Sequence, residues 1–170
     1  MDKTILIAIL VFAFIAGHAQ ENEKLSRKER RALKEKQRIE EVKTLLNDKV
    51  YVFKPTTALP SGGRSRNLDG TFSAKINKDT LDCYLPFFGR AYSVEYGSTT
   101  GPFTFTLPID EYSMEESKKG YKVELKVKNK NDNMTFIFQI SETGSASLNI
   151  NSTNRQFMSY NGNIEKPDDK

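Results

Sequence analysis

The sequence is poor in histidine, the usual general base of enzymes near neutral pH. It contains one histidine, His18, and no tryptophan. His18 lies in an N-terminal segment that we expect to be removed, so the mature chain would hold no histidine. That excludes Ser-His-Asp and Cys-His catalytic systems and most zinc sites. No phosphate-binding loop, dinucleotide-binding or EF-hand motif is present, so we predict no cofactor and favour a non-catalytic protein over an enzyme.

Cysteine is equally scarce, with Cys83 as the single example. An intrachain disulfide is therefore impossible, and the core must hold without a covalent crosslink. Cys83 shares its alternation phase with Leu81 and Leu85, which predicts an inward-facing side chain. A buried cysteine behaves as a small apolar residue with an inert thiol.

The N-terminus has the order of a secretory signal. A polar start with one lysine precedes an apolar run over Thr4–Ile15. Ala16-Gly17-His18-Ala19 follows, with small residues at the positions that a signal peptidase reads. This pattern predicts a cleavable signal peptide over residues 1–19; an uncleaved anchor is the alternative, although the run is shorter than the ~20 residues of a membrane span. With no cysteine near the cleavage site, we expect an exported protein, periplasmic or secreted, that is not a lipoprotein and has no transmembrane segment after cleavage.

Residues 20–49 are predicted to form a charged helix arm. Eight basic residues and two acidic ones lie within Lys24–Arg38, whereas Ile39–Lys170 holds 17 of each sign. Ser26 and Glu29 fit a capping box, and good helix formers follow, so we predict a helix over Arg27–Asn47. Its apolar stripe is densest in the second half, which we expect to pack on the domain.

The basic first half of this helix has several possible roles. It could contact anionic lipid headgroups, an acidic polysaccharide or an envelope protein partner, or it could be a solvated surface. Export argues against a nucleic-acid partner.

From residue 50 the apolar period changes to two. Alternating residues over Tyr121–Val127, Met134–Ile140 and Ala146–Ile150 predict half-buried strands, and short polar joints make neighbouring strands antiparallel. Weaker patterns indicate further strands over Phe72–Leu85, Phe103–Leu107 and Phe157–Ile164, with a short one at Tyr92 and Val94. The fold class is therefore mainly β (α+β): an N-terminal helix, then eight to ten antiparallel strands over residues 50–165 in a meander. The meander forms a barrel or a sandwich, and residues 166–170 are a polar tail.

Two segments could bind a ligand. In Leu59–Gly70, paired glycines next to Arg64 and Arg66 could hold an anion; an ordinary surface loop is the alternative. In Asp82–Gly97, aromatic residues surround Arg90 and could contact a small apolar ligand, unless their rings belong to the core. The predicted ligand-binding residues are Arg64, Arg66, Tyr84, Phe88, Arg90, Tyr92 and Tyr96.

Several long strings in the sequence resemble a known family. They are LPSGGRSRNLDG at Leu59–Gly70, LPFFGRAYSVEYG at Leu85–Gly97, GYKVELKVKNKNDNMTF at Gly120–Phe136 and NINSTNRQFMSYNG at Asn149–Gly162. In these the chain resembles an exported Bacteroidetes family, domain of unknown function 4251. The resemblance implies a Gram-negative envelope location, most simply the periplasm, and a lipocalin-like (calycin-like) barrel by analogy. It implies no catalytic or binding residues.

Three functional hypotheses remain at this point. The first is a non-catalytic envelope domain that binds a small apolar or anionic ligand or a partner protein. The second is a carboxylate-dependent hydrolase acting on an envelope glycan, with Asp69, Asp79, Asp82 and Asp110 as candidate acids. The third is a structural or assembly protein that docks through its basic N-terminal helix.

Overall fold

A computed structural model describes residues 26–92 and 102–167 of the chain. The predicted signal peptide, Val94 and Tyr96 lie outside the described residues. The chain divides into two compact units, Met1–Lys34 and Glu35–Lys170. In the described part of the chain, no helix is long and apolar enough to cross a membrane.

The predicted helix is confirmed as α1, Arg27–Asn47. Its capping box is formed: the Glu29 amide donates to Ser26 Oγ at 3.2 Å, and the Ser26 amide donates to a Glu29 carboxylate oxygen at 2.7 Å. These bonds satisfy two backbone amides that would otherwise have no partner at the helix start. All described side chains of the first unit, residues 26–34, are exposed.

Ten antiparallel strands follow α1, which confirms the mainly β class. Their bounds are β1 Val50–Pro60, β2 Arg66–Asn67, β3 Ser73–Asn77, β4 Thr80–Leu85, β5 Phe103–Pro108, β6 Glu111–Ser117, β7 Gly120–Asn129, β8 Asp132–Ser141, β9 Ser145–Ser152 and β10 Met158–Glu165. All belong to one sheet in the order β5-β4-β3-β1-β10-β9-β8-β7-β6, with β2 paired to β1. The sheet is thus two meanders joined where β10 returns to pair with β1.

The two edges of the sheet meet at a corner, which curls it into a half-barrel. The edge strands β5 and β6 are separated in sequence only by Ile109 and Asp110. The Ile109 amide donates to Asp79 O at 2.8 Å, and the Asp110 amide donates to Lys126 O at 2.9 Å. This pair therefore ties the β3–β4 turn to β7. The predicted choice between barrel and sandwich resolves into a single curled sheet.

The interior of the half-barrel is filled with apolar side chains. Alternate residues of nearly every strand point into one cluster, which includes Phe53, Phe138 and Tyr160, all without accessible surface. Phe53 and Phe138 pack edge to face with their ring centroids 5.7 Å apart. Cys83 is fully buried there, as predicted, and burial raises the pKa of its thiol. Because Phe53, Cys83, Phe138 and Tyr160 have no accessible surface, no space remains among them for a ligand.

The second half of α1 covers one end of the sheet, called here the helix end. Val42, Leu45 and Leu46 are buried in the core. The Arg38 guanidinium donates to Thr143 O at 3.2 Å and to Ile164 O. Gly144, at φ 93°, lies directly beneath Arg38 and Val42, where a Cβ atom would contact both. Hydrophobic burial and charge-assisted hydrogen bonds together hold the helix in place.

The sequence-based prediction named no strand over β1, β2 or β6. In β6, the polar Glu111, Ser113 and Glu115 alternate with only two apolar residues, Tyr112 and Met114. Both are partly buried against the core. The signal is short, and the strand forms because β7 provides a complete pairing partner.

Candidate functional site

The end of the half-barrel opposite α1 gathers the segments that the sequence singled out. The segment after β4 is anchored there by the Tyr160 hydroxyl, which donates to Pro86 O at 2.7 Å. The Arg90 amide donates to Gln156 Oε1 at 3.1 Å, and the Gln156 amide donates to Arg90 O at 2.9 Å. The Tyr92 amide donates to Asn154 O at 2.7 Å. Residues 86–92 are therefore bound along the β9–β10 turn.

Asp132 shapes that turn from the neighbouring β7–β8 hairpin. Its carboxylate accepts hydrogen bonds from the Ser152 hydroxyl at 2.7 Å and the Thr153 hydroxyl at 3.0 Å. It also accepts one from the Asn154 amide at 3.3 Å. These bonds use the negative charge of Asp132 to order the backbone that presents Arg155 and Gln156.

Arg155 and Arg66 lie against aromatic rings at this end. The Arg155 guanidinium is 4.9 Å from the ring centroid of Phe103 and 5.4 Å from that of Phe87. The Arg66 guanidinium is 4.5 Å from the ring centroid of Phe88. Such stacking restricts an arginine side chain while its guanidinium edge keeps the geometry that matches carboxylates and phosphates.

Arg66 is placed by local pairing with the end of β1. Arg66 belongs to β2 and lies opposite Ala58 of β1. The glycine loop that precedes Arg66 approaches the β9–β10 turn. A Cβ atom on Gly62 would be 3.7 Å from Gln156 Nε2. The structure therefore joins the two candidate segments of the sequence through Arg66 and Phe88, and adds the β9–β10 turn to them.

Charge and exposure distinguish this end from the rest of the sheet. We call residues 60–66, 86–92 and 152–157 the arginine–aromatic end; they contain Arg64, Arg66, Arg90 and Arg155, and the Asp132 carboxylate is hydrogen-bonded to the last of these segments. Tyr92 is 70% exposed and Phe157 is 38% exposed, and they are two of the four large apolar side chains exposed in the described part of the chain. Planar cations and accessible rings thus share one surface.

The remaining predicted ligand-binding residues lie elsewhere or take a minor part. Arg64 and Arg90 are exposed within the arginine–aromatic end. Tyr84 is on the outer face of the sheet, where its ring packs against Phe72 with centroids 5.2 Å apart. Tyr96 is outside the described residues. The sequence analysis missed Arg155 and Gln156; the arginine within Asn154–Gln156, next to a strand end, was the available signal.

Of the four candidate acids, Asp82 lines an open groove of about 710 Å³, and the described residues that line this groove include none of the other three. Asp69, Asp79, Asp82 and Asp110 are all exposed. The Asp82 carboxylate accepts a hydrogen bond from Thr106 at 3.0 Å, and the Asp69 carboxylate accepts one from the Thr71 amide at 3.3 Å. Over the described ranges, no cluster of three or more potential ligands could hold a metal ion.

Comparison with known proteins assigns the family. The model of a family named domain of unknown function, DUF4251, matches residues 33–164. The chain belongs to the DUF4251 family. A crystal structure of a DUF4251 family protein from Bacteroides eggerthii DSM 20697 is similar, with a TM-score of 0.57 and 12% sequence identity over 76% of this chain and 87% of that one. At 12% identity, the similarity shows that the two proteins share a fold, and it carries no information on function. The search of curated proteins finds no match.

Proposed function

We propose that this DUF4251 protein is an exported, non-catalytic binding domain that recognises an anionic ligand or partner with its arginine–aromatic end. The observation that carries the proposal is the grouping of four arginines at one end of the sheet, two of them with the guanidinium over an aromatic ring. Opposite charge attracts such a ligand, and the stacked guanidinium groups restrict how it can bind.

The filled interior supports recognition by the surface. A small apolar ligand inside the sheet, one of the alternatives predicted from the sequence, would have to displace core side chains that have no accessible surface. Displacing them would cost much of the burial energy that stabilises the fold. A ligand or partner at the arginine–aromatic end requires no such rearrangement.

Native mass spectrometry of the mature protein, purified gently from its own envelope, tests this proposal. We expect extra mass in the native spectrum that disappears on denaturation. The double variant Arg66→Ala, Arg155→Ala should lose it, whereas Arg30→Ala, Arg31→Ala, which removes the same charge from α1, should keep it. Circular dichroism checks that each variant is folded. A bare wild-type monomer, or extra mass that persists in the Arg66, Arg155 variant, would contradict the proposal.

A second candidate is an assembly role for the basic first half of α1. It is favoured by the exposure of every residue from 26 to 34, among them the apolar Leu33 at 48%. Removal of residues 21–34 leaves Arg38 and the buried part of α1 in place. Loss of envelope complexes in that variant, with binding at the arginine–aromatic end intact, would favour this role over the first.

A further inference from the structure

We infer that the ligand of the arginine–aromatic end is an acidic polysaccharide, a sugar polymer that carries carboxylates. This inference rests on the proposed function and names the ligand class for the same surface. Three properties of the surface lead to it: the geometry of its arginines, its exposed rings and the exposure of Arg64, Arg66 and Arg90.

The arginines suit carboxylates. A guanidinium group presents paired N–H donors in one plane, which match the two oxygens of a carboxylate. Phe88 beneath Arg66 and Phe103 beneath Arg155 limit the rotation of these side chains. Because less side-chain entropy is lost on binding, each contact gains in effective strength.

The exposed rings suit sugars. Tyr92 and Phe157 flank the β9–β10 turn that carries Arg155, and both are accessible. The C–H groups on the face of a sugar ring carry slight positive charge, and they pack on the electron-rich face of an aromatic ring. Inorganic polyphosphate has no apolar face for these rings to contact.

Exposed arginines suit a polymer rather than a small molecule. An exposed charge pair contributes little to affinity, so a single carboxylate would bind weakly. A chain of acidic sugars can engage several arginines at once, and each added contact then forms at high effective concentration. Single-stranded nucleic acid also combines charge with rings, but the predicted export places the domain among envelope polymers instead.

Titration of the mature chain with polygalacturonate tests the inference, with fully methyl-esterified polygalacturonate as the matched uncharged polymer. We expect saturable binding to the acid form and at least about tenfold weaker binding to the ester. Arg66→Ala should weaken binding by about tenfold or more, and Arg66→Lys should not restore it because lysine lacks the paired donors. The double variant Tyr92→Ala, Phe157→Ala should also weaken it, whereas Arg30→Ala, Arg31→Ala should not.

Polyphosphate and a single-stranded oligonucleotide of matched charge provide the contrasting ligands. Equal binding of polyphosphate that is insensitive to the Tyr92, Phe157 variant would show simple charge attraction and overturn the inference. Tighter binding of the oligonucleotide would overturn it in favour of nucleic acid. If polygalacturonate fails to bind while the envelope-derived complex still depends on Arg66 and Arg155, the polysaccharide class is wrong and the proposed function stands.

Discussion

Arg38 and Arg66 lie at opposite ends of the same half-barrel, and their guanidinium groups have different surroundings. Arg38 lies at the end that α1 covers, and it donates to the backbone carbonyl groups of Thr143 and Ile164. Arg66 lies on the ring of Phe88, and no ion pair involves it within residues 26–92 and 102–167. At the helix end an arginine completes the fold, whereas at the arginine–aromatic end the same residue type is presented to solvent. The difference separates an arginine that is hydrogen-bonded within the fold from one that is exposed on its surface.

The largest contrast between the ends should be in apolar packing. Leu46 of α1 is 1% exposed and Phe157 is 38% exposed. Leu46→Ala should therefore lower the free energy of unfolding by about 2–5 kcal/mol, because it leaves a cavity in the core. Phe157→Ala should lower it by less than about 1 kcal/mol, because its ring is already partly hydrated. Urea denaturation followed by circular dichroism measures both changes. Equal losses of unfolding free energy would show that the two ends bury their apolar side chains equally well.

The arginines should differ next. Arg38→Ala removes charge-assisted hydrogen bonds to two carbonyl groups and an ion pair with Glu41 at 2.9 Å. We expect it to cost about 1.5–3 kcal/mol of unfolding free energy. Arg66→Ala removes an exposed cation–π contact and should cost about 0.5–1 kcal/mol. The same denaturation assay applies, and a larger loss for Arg66 than for Arg38 would reverse the roles assigned to the two ends.

Two buried tyrosines give a smaller contrast. The Tyr160 hydroxyl donates to Pro86 O, whereas the Tyr51 hydroxyl, near the helix end, makes no hydrogen bond of standard geometry with the described residues. Tyr160→Phe should cost about 1–2 kcal/mol, because a buried carbonyl loses its donor. Tyr51→Phe should change the unfolding free energy by less than about 0.5 kcal/mol or increase it. A clear loss for Tyr51→Phe would reveal a functioning hydrogen bond to the nearby Tyr112 hydroxyl.

The same tyrosines make the unfolding free energy depend on pH. Burial raises the pKa of both Tyr51 and Tyr160 above the usual value of about 10. Because the folded state keeps the neutral form, their contribution to stability is present below pH about 10 and is lost as the pH rises above it. Between neutral pH and a pH above about 10, the unfolding free energy should fall less in either phenylalanine variant than in the wild type.

The local sequence pattern was sufficient to predict those elements in which one type of residue recurs at regular intervals. The capping box and uninterrupted helix formers predicted α1, and alternation predicted β7, β8 and β9 as well as the burial of Cys83. These features depend on interactions between near neighbours or on which face of a strand a residue occupies. The pairing of β10 with β1 and the corner at Ile109 and Asp110 depend instead on residues far apart in sequence, so alternation could not place them.

The candidate site was only partly predictable for the same reason. Arg66, Phe88 and Arg90 were identified from local composition, but the sequence assigned them to two separate segments. By itself the sequence determined the mainly β class, the helix and the absence of a histidine-based chemistry in the predicted mature chain. Only the tertiary structure decided that the interior is filled, that Tyr84 faces away, and that Arg155 joins Arg66 at one end. Curling of the sheet decides these points, because it brings strand ends together that lie up to about 90 residues apart, from Arg66 to Arg155.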